Sequence, residues 1–127
     1  MKHSILVLIF FLCSLSSLAQ TESKNDFIFL TGKIINEVQI TQGMYNATVI
    51  EFEIIKYSDA SYTQKNIGVV SCCPDIKGSE FYATGKIYEV KLRTNNSEEL
   101  YFIANRSELE KYNLNENLWV YGMKEVE

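Results

Sequence analysis

One stretch of the chain, Tyr45–Tyr57, alternates its side chains with a period of two residues. One set of alternate positions carries Thr48, Ile50, Phe52 and Ile54, and the other carries Val49, Glu51 and Glu53. A strand places successive side chains on opposite faces, whereas an amphipathic helix repeats its apolar residues about every 3.6 residues. The stretch therefore predicts a β-strand with one largely apolar face and one face that is mostly polar and solvated.

The rest of the chain after residue 26 has a similar β composition. Apolar runs rich in Ile, Val, Phe and Tyr are separated there by short turn clusters. Five further strands are predicted, at Phe27–Ile40, Thr63–Cys72, Lys86–Arg93, Leu100–Ala104 and Leu118–Val126. Gly32 interrupts the first of these, and a glycine inside a strand usually marks a bulge or a sharp bend.

One short helix is predicted between the last two strands. Ser107-Glu108-Leu109-Glu110 fits a capping box, in which the first and last side chains each satisfy a free backbone N–H at a helix start. The helix should run for one or two turns, to about Tyr112. The expected fold class is therefore all-β: a small, antiparallel, barrel-like fold of about six strands with one short helix.

The first 19 residues have the three parts of a secretory signal peptide. Lys2 and His3 form a short positive start, Ile5–Leu12 is an unbroken apolar run, and small residues lead to Ala19. The run is well short of the roughly 18–20 apolar residues that a spanning helix needs. Cleavage is predicted after Ala19, leaving a flexible leader at 20–26 and a single β-barrel domain at 27–127. We expect a secreted or periplasmic protein without a membrane span.

The mature chain would carry no histidine, because the single histidine, His3, lies within the signal. Its absence excludes Ser-His-Asp triads, Cys-His dyads and His-ligated zinc. Removing Lys2 with the signal leaves 11 basic residues against 16 acidic ones, a net charge of −5. Nucleic acids and anionic membrane surfaces are bound through Lys/Arg patches, so neither is expected as a partner.

Three motifs resemble strands of a small OB-type barrel, in particular the netrin-like version found in tissue inhibitors of metalloproteinases. The matching residues are Phe29, Gly32, Lys33 and Ile34 for the first strand, Val49, Phe52, Ile54 and Lys56 for the second, and Cys72, Phe81, Gly85, Lys86, Tyr88 and Val90 towards the fourth. Small secreted bacterial proteins of uncharacterised function share the same opening and the Gly-Lys-x-Tyr-x-Val strand. The resemblance covers residues 27–104 and implies an OB-like barrel.

This resemblance carries no inhibitory residue over to the present chain. The inhibitors act through an N-terminal Cys-x-Cys whose freed amine meets the catalytic zinc. The mature chain here would begin Gln20-Thr21-Glu22 instead. The resemblance therefore implies a fold, and a fold does not fix a function.

Cys72 and Cys73, followed by Pro74, form the most unusual local feature. Neighbouring strand residues point to opposite faces, so a bond between adjacent cysteines needs an abnormal peptide geometry. Four states are open: a vicinal disulfide, two free thiols, an intermolecular disulfide, and a soft-metal site such as copper(I) on paired thiolates. The spacing is not Cys-x-x-Cys, which argues against a thioredoxin-like role. No cofactor is predicted.

Trp119, Tyr121 and Met123 occupy alternate positions of the last predicted strand. They either close the core or form an exposed aromatic strip. In the second case Trp119 and Tyr121 are the candidate binding surface, because aromatic residues dominate interface anchors.

Glu51 and Glu53 are the only other candidate pair for chemistry that the sequence singles out. Two residues apart on a strand, they would stand about 6.5–7 Å from each other, a spacing that could serve a glycosidase. A solvated sheet face is the simpler interpretation, because acid–base work needs one carboxyl with a raised pKa in a cleft.

Two functions remain as hypotheses. The first is a secreted or periplasmic, non-enzymatic binding module for a protein or a cell-envelope component. The alternative is a thiol- or soft-metal-dependent envelope protein with copper or redox chemistry at Cys72 and Cys73. The missing catalytic residue types and the acidic charge favour the first. The partner's identity and the oligomeric state stay open.

Overall fold

The computed structural model describes residues 27–74 and 77–126, so the predicted signal peptide and leader lie outside the described residues. Six strands are present: β1 (Ile28–Ile34), β2 (Asn46–Tyr57), β3 (Asn66–Cys72), β4 (Ile87–Arg93), β5 (Phe102–Ala104) and β6 (Trp119–Glu125). The predicted all-β class is confirmed. None of the helical segments in the described ranges has the length and apolar content that a membrane crossing requires.

Five strands form a closed ring of hydrogen bonds in the order β1–β2–β3–β6–β4, with β4 returning to β1. Four of the six pairings are antiparallel, and the other two, β2 with β5 and β3 with β6, are parallel and short. β3 and β6 share a single residue pair, Val70 with Trp119. The ring therefore closes through its shortest pairing.

β1 bends at Gly32, as the sequence predicts. The register against β2 shifts between Thr31 and Gly32, and a Cβ atom on Gly32 would lie only 2.9 Å from the Cβ atom of Phe52. The predicted continuation of this strand to residue 40 is wrong, because β1 ends at Ile34. Just beyond it the backbone N–H of Ile35 still donates to the carbonyl of Glu51 at 2.9 Å. The side chain of Asn36 then bonds to β2: it accepts from the Glu51 N–H at 2.8 Å and donates to the carbonyl of residue 49 at 3.1 Å.

Apolar side chains are buried on both faces of the ring. The inner core consists of Leu30, Ile34, Ile50, Phe52, Ile67, Val69, Tyr82, Tyr88, Val90, Leu92 and Leu118. A second, outer cluster consists of Ala47, Val49, Val70, Ile103, Leu109 and Trp119. The outer cluster forms because residues 98–112 pack across β2 and β3, so these strands are covered on both sides.

The predicted short helix is a 3-10 helix, Arg106–Lys111, preceded by a 3-10 turn at Glu98–Leu100. The predicted capping box is wrong. The 3-10 helix follows Asn105, which has a left-handed φ of 60° and makes no side-chain capping bond, and Ser107 lies inside it. Burial of Leu109 in the outer cluster holds the segment against the ring, so packing rather than capping places it.

Candidate functional site

A β-bulge separates the two aromatic residues that were predicted to share one face of the last strand. The register between β4 and β6 shifts between Lys91 and Leu92, and Tyr121 has no partner in the ladder. Trp119 is 5% exposed and belongs to the outer cluster, whereas Tyr121 is 58% exposed. Met123 packs against the inner core. The three side chains therefore share neither of the two arrangements that the sequence left open: Trp119 and Met123 pack against the two clusters, and Tyr121 is exposed.

Cys72, Trp119 and Tyr121 nevertheless line one groove, with a volume of about 650 Å³. The groove lies where β3 and β6 separate beyond their single pair. Its other lining residues are Ile28, Arg93, Thr94, Asn95, Asn96, Ser97, Tyr101, Leu118 and Val120. The structure thus brings the cysteine position and the aromatic candidates of the sequence to the same place.

Arg93, which sequence reasoning did not single out, stacks on the aromatic residues beside this groove. Its guanidinium carbon lies 4.5 Å from the ring centroid of Tyr121, and the rings of Tyr121 and Phe27 are 4.8 Å apart. Lys91 approaches Phe27 from the same side, at 5.3 Å from its centroid. Such contacts hold a cationic side chain over an aromatic face. Among the described residues, neither Lys91 nor Arg93 forms a salt bridge.

A row of aromatic rings runs along another wall. Tyr45 contacts Tyr101 with a centroid distance of 5.6 Å, and Tyr101 contacts Trp119 at 4.9 Å. The indole N–H of Trp119 is buried and has no hydrogen-bond partner in the described part of the chain. A buried donor without an acceptor costs about 1–3 kcal/mol, so such groups are rare in folded proteins.

Cys72 and Cys73 are joined in a disulfide bond at the end of β3. A vicinal disulfide is one of the four states that the sequence left open, and thiol titration distinguishes among them. Cys73 has a left-handed φ of 57°, a conformation that costs a non-glycine residue about 1–3 kcal/mol. Its sulfur lies 3.1 Å from the carbonyl oxygen of Met44. A disulfide sulfur carries no hydrogen, so this is a contact here, and only a reduced thiol could donate a hydrogen bond to that oxygen.

An exposed apolar patch surrounds the start of β5. Its side chains are Met44, Tyr45, Leu100 and Phe102, which are 76%, 55%, 62% and 67% exposed. The backbone N–H of Phe102 donates to the carbonyl of Tyr45 at 2.8 Å, which holds the two segments together. Sequence reasoning missed this patch, although Leu100 and Phe102 stand two residues apart in the predicted strand Leu100–Ala104; in the structure Leu100 ends the 3-10 turn and Phe102 begins β5.

The prediction that Glu51 lies on a solvated face is wrong, because residues 98–112 cover it. It is 7% exposed, and its carboxylate accepts a hydrogen bond from the Tyr112 hydroxyl at 2.5 Å and pairs with the Lys111 ammonium at 3.1 Å. Burial, followed by this hydrogen bond, raises the pKa of Tyr112. Hydrogen bonds from the Lys111 ammonium to Glu108 and, second, to Glu51 raise the pKa of Lys111. Glu51 is therefore part of the packing.

Glu53 is half-buried and lies 3.7 Å from the ammonium groups of both Lys33 and Lys65. Each of the two glutamates therefore has its own cationic partner. Separate neutralising partners favour a structural role for the pair over the glycosidase arrangement, in which the two carboxyl groups face one substrate.

Within residues 27–74 and 77–126, no group of three His, Cys, Asp or Glu residues is placed to hold a metal ion. Cys72 and Cys73 could supply two thiolates if reduced, and the described residues offer no third such ligand nearby. The groove around Tyr121 and Arg93, with the disulfide at one wall, is therefore the candidate functional site. Comparison with protein-family models, curated proteins and solved structures finds no match for this chain.

Proposed function

We propose that this protein is a secreted or periplasmic binding module, without enzymatic activity, that contacts a protein or cell-envelope partner through the groove between β3 and β6. The observation that carries the proposal is the convergence of Cys72, Trp119, Tyr121 and Arg93 on this groove. Aromatic and arginine side chains are the residue types that dominate binding energy at interfaces.

An OB-like barrel is the proposed architecture. Support comes from the ring order β1–β2–β3–β6–β4 with a parallel contact between β3 and β6, and from the motifs that resemble netrin-like strands. The OB fold is a five-stranded Greek-key barrel that presents ligand-binding surfaces on its strands and loops. The fold supports a binding role in general, and the groove residues supply the specific argument.

Export is the part of the proposal that rests on residues 1–19. Expression with the full leader should release a chain that begins at Gln20 into the periplasm or the medium. N-terminal sequencing and intact mass of the exported protein measure this. A cytoplasmic product that keeps Met1 would contradict the proposed location.

Capture from a cell-envelope extract tests the binding role. Three tagged mature chains are compared: the unchanged protein, Tyr121→Ser in the groove, and Ile55→Ser as the matched control. Ile55 is 52% exposed, close to the 58% of Tyr121, and it does not line the groove. The unchanged protein and the control should retain a common partner that Tyr121→Ser loses. Equal capture by all three, or no partner at any salt concentration, would count against the proposal.

A second candidate function is a thiol- or copper-dependent role for Cys72 and Cys73. The disulfide itself favours it, since both cysteines are only half-buried and Cys72 lines the groove. Titration of thiols in the mature chain should give none before reduction and two after it. Copper(I) should then bind the reduced chain and fail to bind a Cys72→Ser, Cys73→Ser variant. Two free thiols before reduction would contradict the redox role. No copper bound after reduction would contradict the copper role.

A further inference from the structure

We infer that the groove binds an extended acidic peptide segment, with Arg93 taking a carboxylate and the open edges of β3 and β6 taking the peptide backbone. The inference rests on the proposed function, because it names the ligand class of the same groove. Three observations support it: the groove lining has no acidic residue, the Arg93 guanidinium has no salt bridge among the described residues, and the edges of β3 and β6 are unpaired beyond one residue pair.

The groove is short of negative charge in a chain that has an excess of it. The chain has 16 acidic and 12 basic residues, yet the groove lining contains Arg93 and no acidic residue. Glu98, which follows the lining loop 94–97, accepts a hydrogen bond from the side-chain amide of Asn117 at 2.5 Å. Arg93 therefore offers a positive charge in the groove that forms no ion pair with a carboxylate of the described chain.

Arg93 is held ready to accept a planar anionic group. Stacking against the Tyr121 ring at 4.5 Å orients the guanidinium plane and leaves its N–H groups without a salt bridge among the described residues. A guanidinium presents its donors in a fixed fork that matches a carboxylate. The buried indole N–H of Trp119, which has no acceptor among the described residues, is a second donor at this groove.

The strands on either side of the groove have open edges. Beyond the Val70–Trp119 pair, Cys72, which lines the groove, is paired only with β2, and Val120 is paired only with β4. An extended peptide can add to such an edge through main-chain hydrogen bonds. A backbone with one carboxylate side chain therefore fits both the strand edges and Arg93.

An acidic sugar fits the same charge less well. Sugar rings bind by stacking on free aromatic faces, and the faces of Tyr121 are taken up by Arg93 and Phe27. Trp119 is 5% exposed and packs against Tyr101. The groove therefore lacks an open aromatic platform, which favours the peptide.

The test is a titration followed by amide chemical shifts of the ¹⁵N-labelled mature chain. The probes are a capped heptapeptide of alternating threonine and valine with a central glutamate, the same peptide with glutamine, and digalacturonic acid. The glutamate peptide should shift amides at 71–72, 93–97 and 119–121, and bind about fivefold more tightly than the glutamine peptide. Arg93→Gln should abolish that preference. Lys124→Gln removes the same charge from an exposed residue outside the groove and should retain the preference for the glutamate peptide.

Each of three results would overturn the inference: equal binding of both peptides, loss of the preference in Lys124→Gln as well, or tighter binding of digalacturonic acid than of the glutamate peptide. The inference would also be overturned if none of the three probes bound. If partner capture still depends on Tyr121 in that case, the proposed function stands and only the ligand class is wrong.

Discussion

Glu51 and Arg93 are both charged residues on the outer surface of the same ring of strands, and their surroundings are opposite. Glu51 is 7% exposed and bonded to Tyr112 and Lys111. Arg93 is exposed, stacks on Tyr121 and has no carboxylate partner among the described residues. A covered and fully bonded charge holds parts of the chain together. A charge whose donors face solvent is available to a ligand.

The two tyrosines beside these charges give the largest expected difference. Tyr112→Ala should lower the free energy of unfolding by about 3–5 kcal/mol, because Tyr112 is 5% exposed and its loss leaves a cavity. Tyr121→Ala should lower it by less than about 1 kcal/mol, because that ring is mostly exposed. Urea unfolding of both variants measures this. Similar losses for the two would mean that the groove tyrosine is structural as well.

A double-mutant cycle sharpens the comparison at the charges themselves. Glu51→Leu should cost about 1–3 kcal/mol, because it leaves the Tyr112 hydroxyl buried without an acceptor. Adding Tyr112→Phe should recover part of that loss, since removing both polar partners is less costly than removing one. Arg93→Leu is the control and should change stability by no more than about 0.5 kcal/mol. Additive losses in the Glu51 cycle would contradict the assignment of the hydrogen bond.

Alkaline pH should destabilise the Glu51 side of the molecule. The pKa of Tyr112 is raised, chiefly by burial, and burial also raises the pKa of Tyr57 to about 12. An unfolded tyrosine loses its proton near pH 10. Above about pH 10 the unfolded chain therefore binds fewer protons than the folded chain, and the free energy of unfolding falls as pH rises.

Thermal unfolding of the unchanged protein and of Tyr112→Phe, between pH 8 and pH 12, checks this expectation. The decrease in stability should be shallower in Tyr112→Phe, which keeps only the raised pKa values of Tyr57, Tyr62 and Tyr88 among the described tyrosines. A decrease of the same steepness in both proteins would show that the Tyr112 hydroxyl is not protected by its surroundings.

The ion pairs of Glu53 should contribute least to the free energy of unfolding, because Glu53 has cationic partners but is only partly buried. Its ion pairs with Lys33 and Lys65 are at 3.7 Å, and the Lys65 side chain is 80% exposed. Lys65→Gln should change stability by less than about 0.5 kcal/mol, and 1 M salt should remove even that difference. Urea unfolding at low and high salt is the measurement. A loss above 1 kcal/mol that persists in salt would mean that partners alone, without burial, can stabilise the sheet.

The sequence predicted the strands well, because alternation is a local property. The strands β2 and β4 begin and end within one residue of their predicted limits, and Gly32 marks the bend in β1. The sequence placed Glu51 on a solvated face, because the residues that cover it, Lys111 and Tyr112, come about 60 positions later in the chain. No local pattern records such a distant contact.

The candidate site was predicted in part. Cys72, Trp119 and Tyr121 were selected and line one groove, but alternation could not place Trp119 and Tyr121, because the bulge at Tyr121 breaks it. Arg93 was missed for a related reason. Its position on β4 is that of an ordinary solvated charge. Only the three-dimensional structure distinguishes it, through the Tyr121 ring of β6 that contacts it and the absence of a salt bridge among the described residues.

The single pair between Val70 and Trp119 also determines how adaptable the groove is. All other neighbours in the ring share longer ladders, so the ring has its fewest backbone hydrogen bonds beside the groove. Side-chain packing must hold this seam instead: Val70 and Trp119 both belong to the outer cluster, and Leu118, whose carbonyl accepts from the Val70 N–H at 2.8 Å, belongs to the inner core. The groove wall is therefore as firm as the packing behind it.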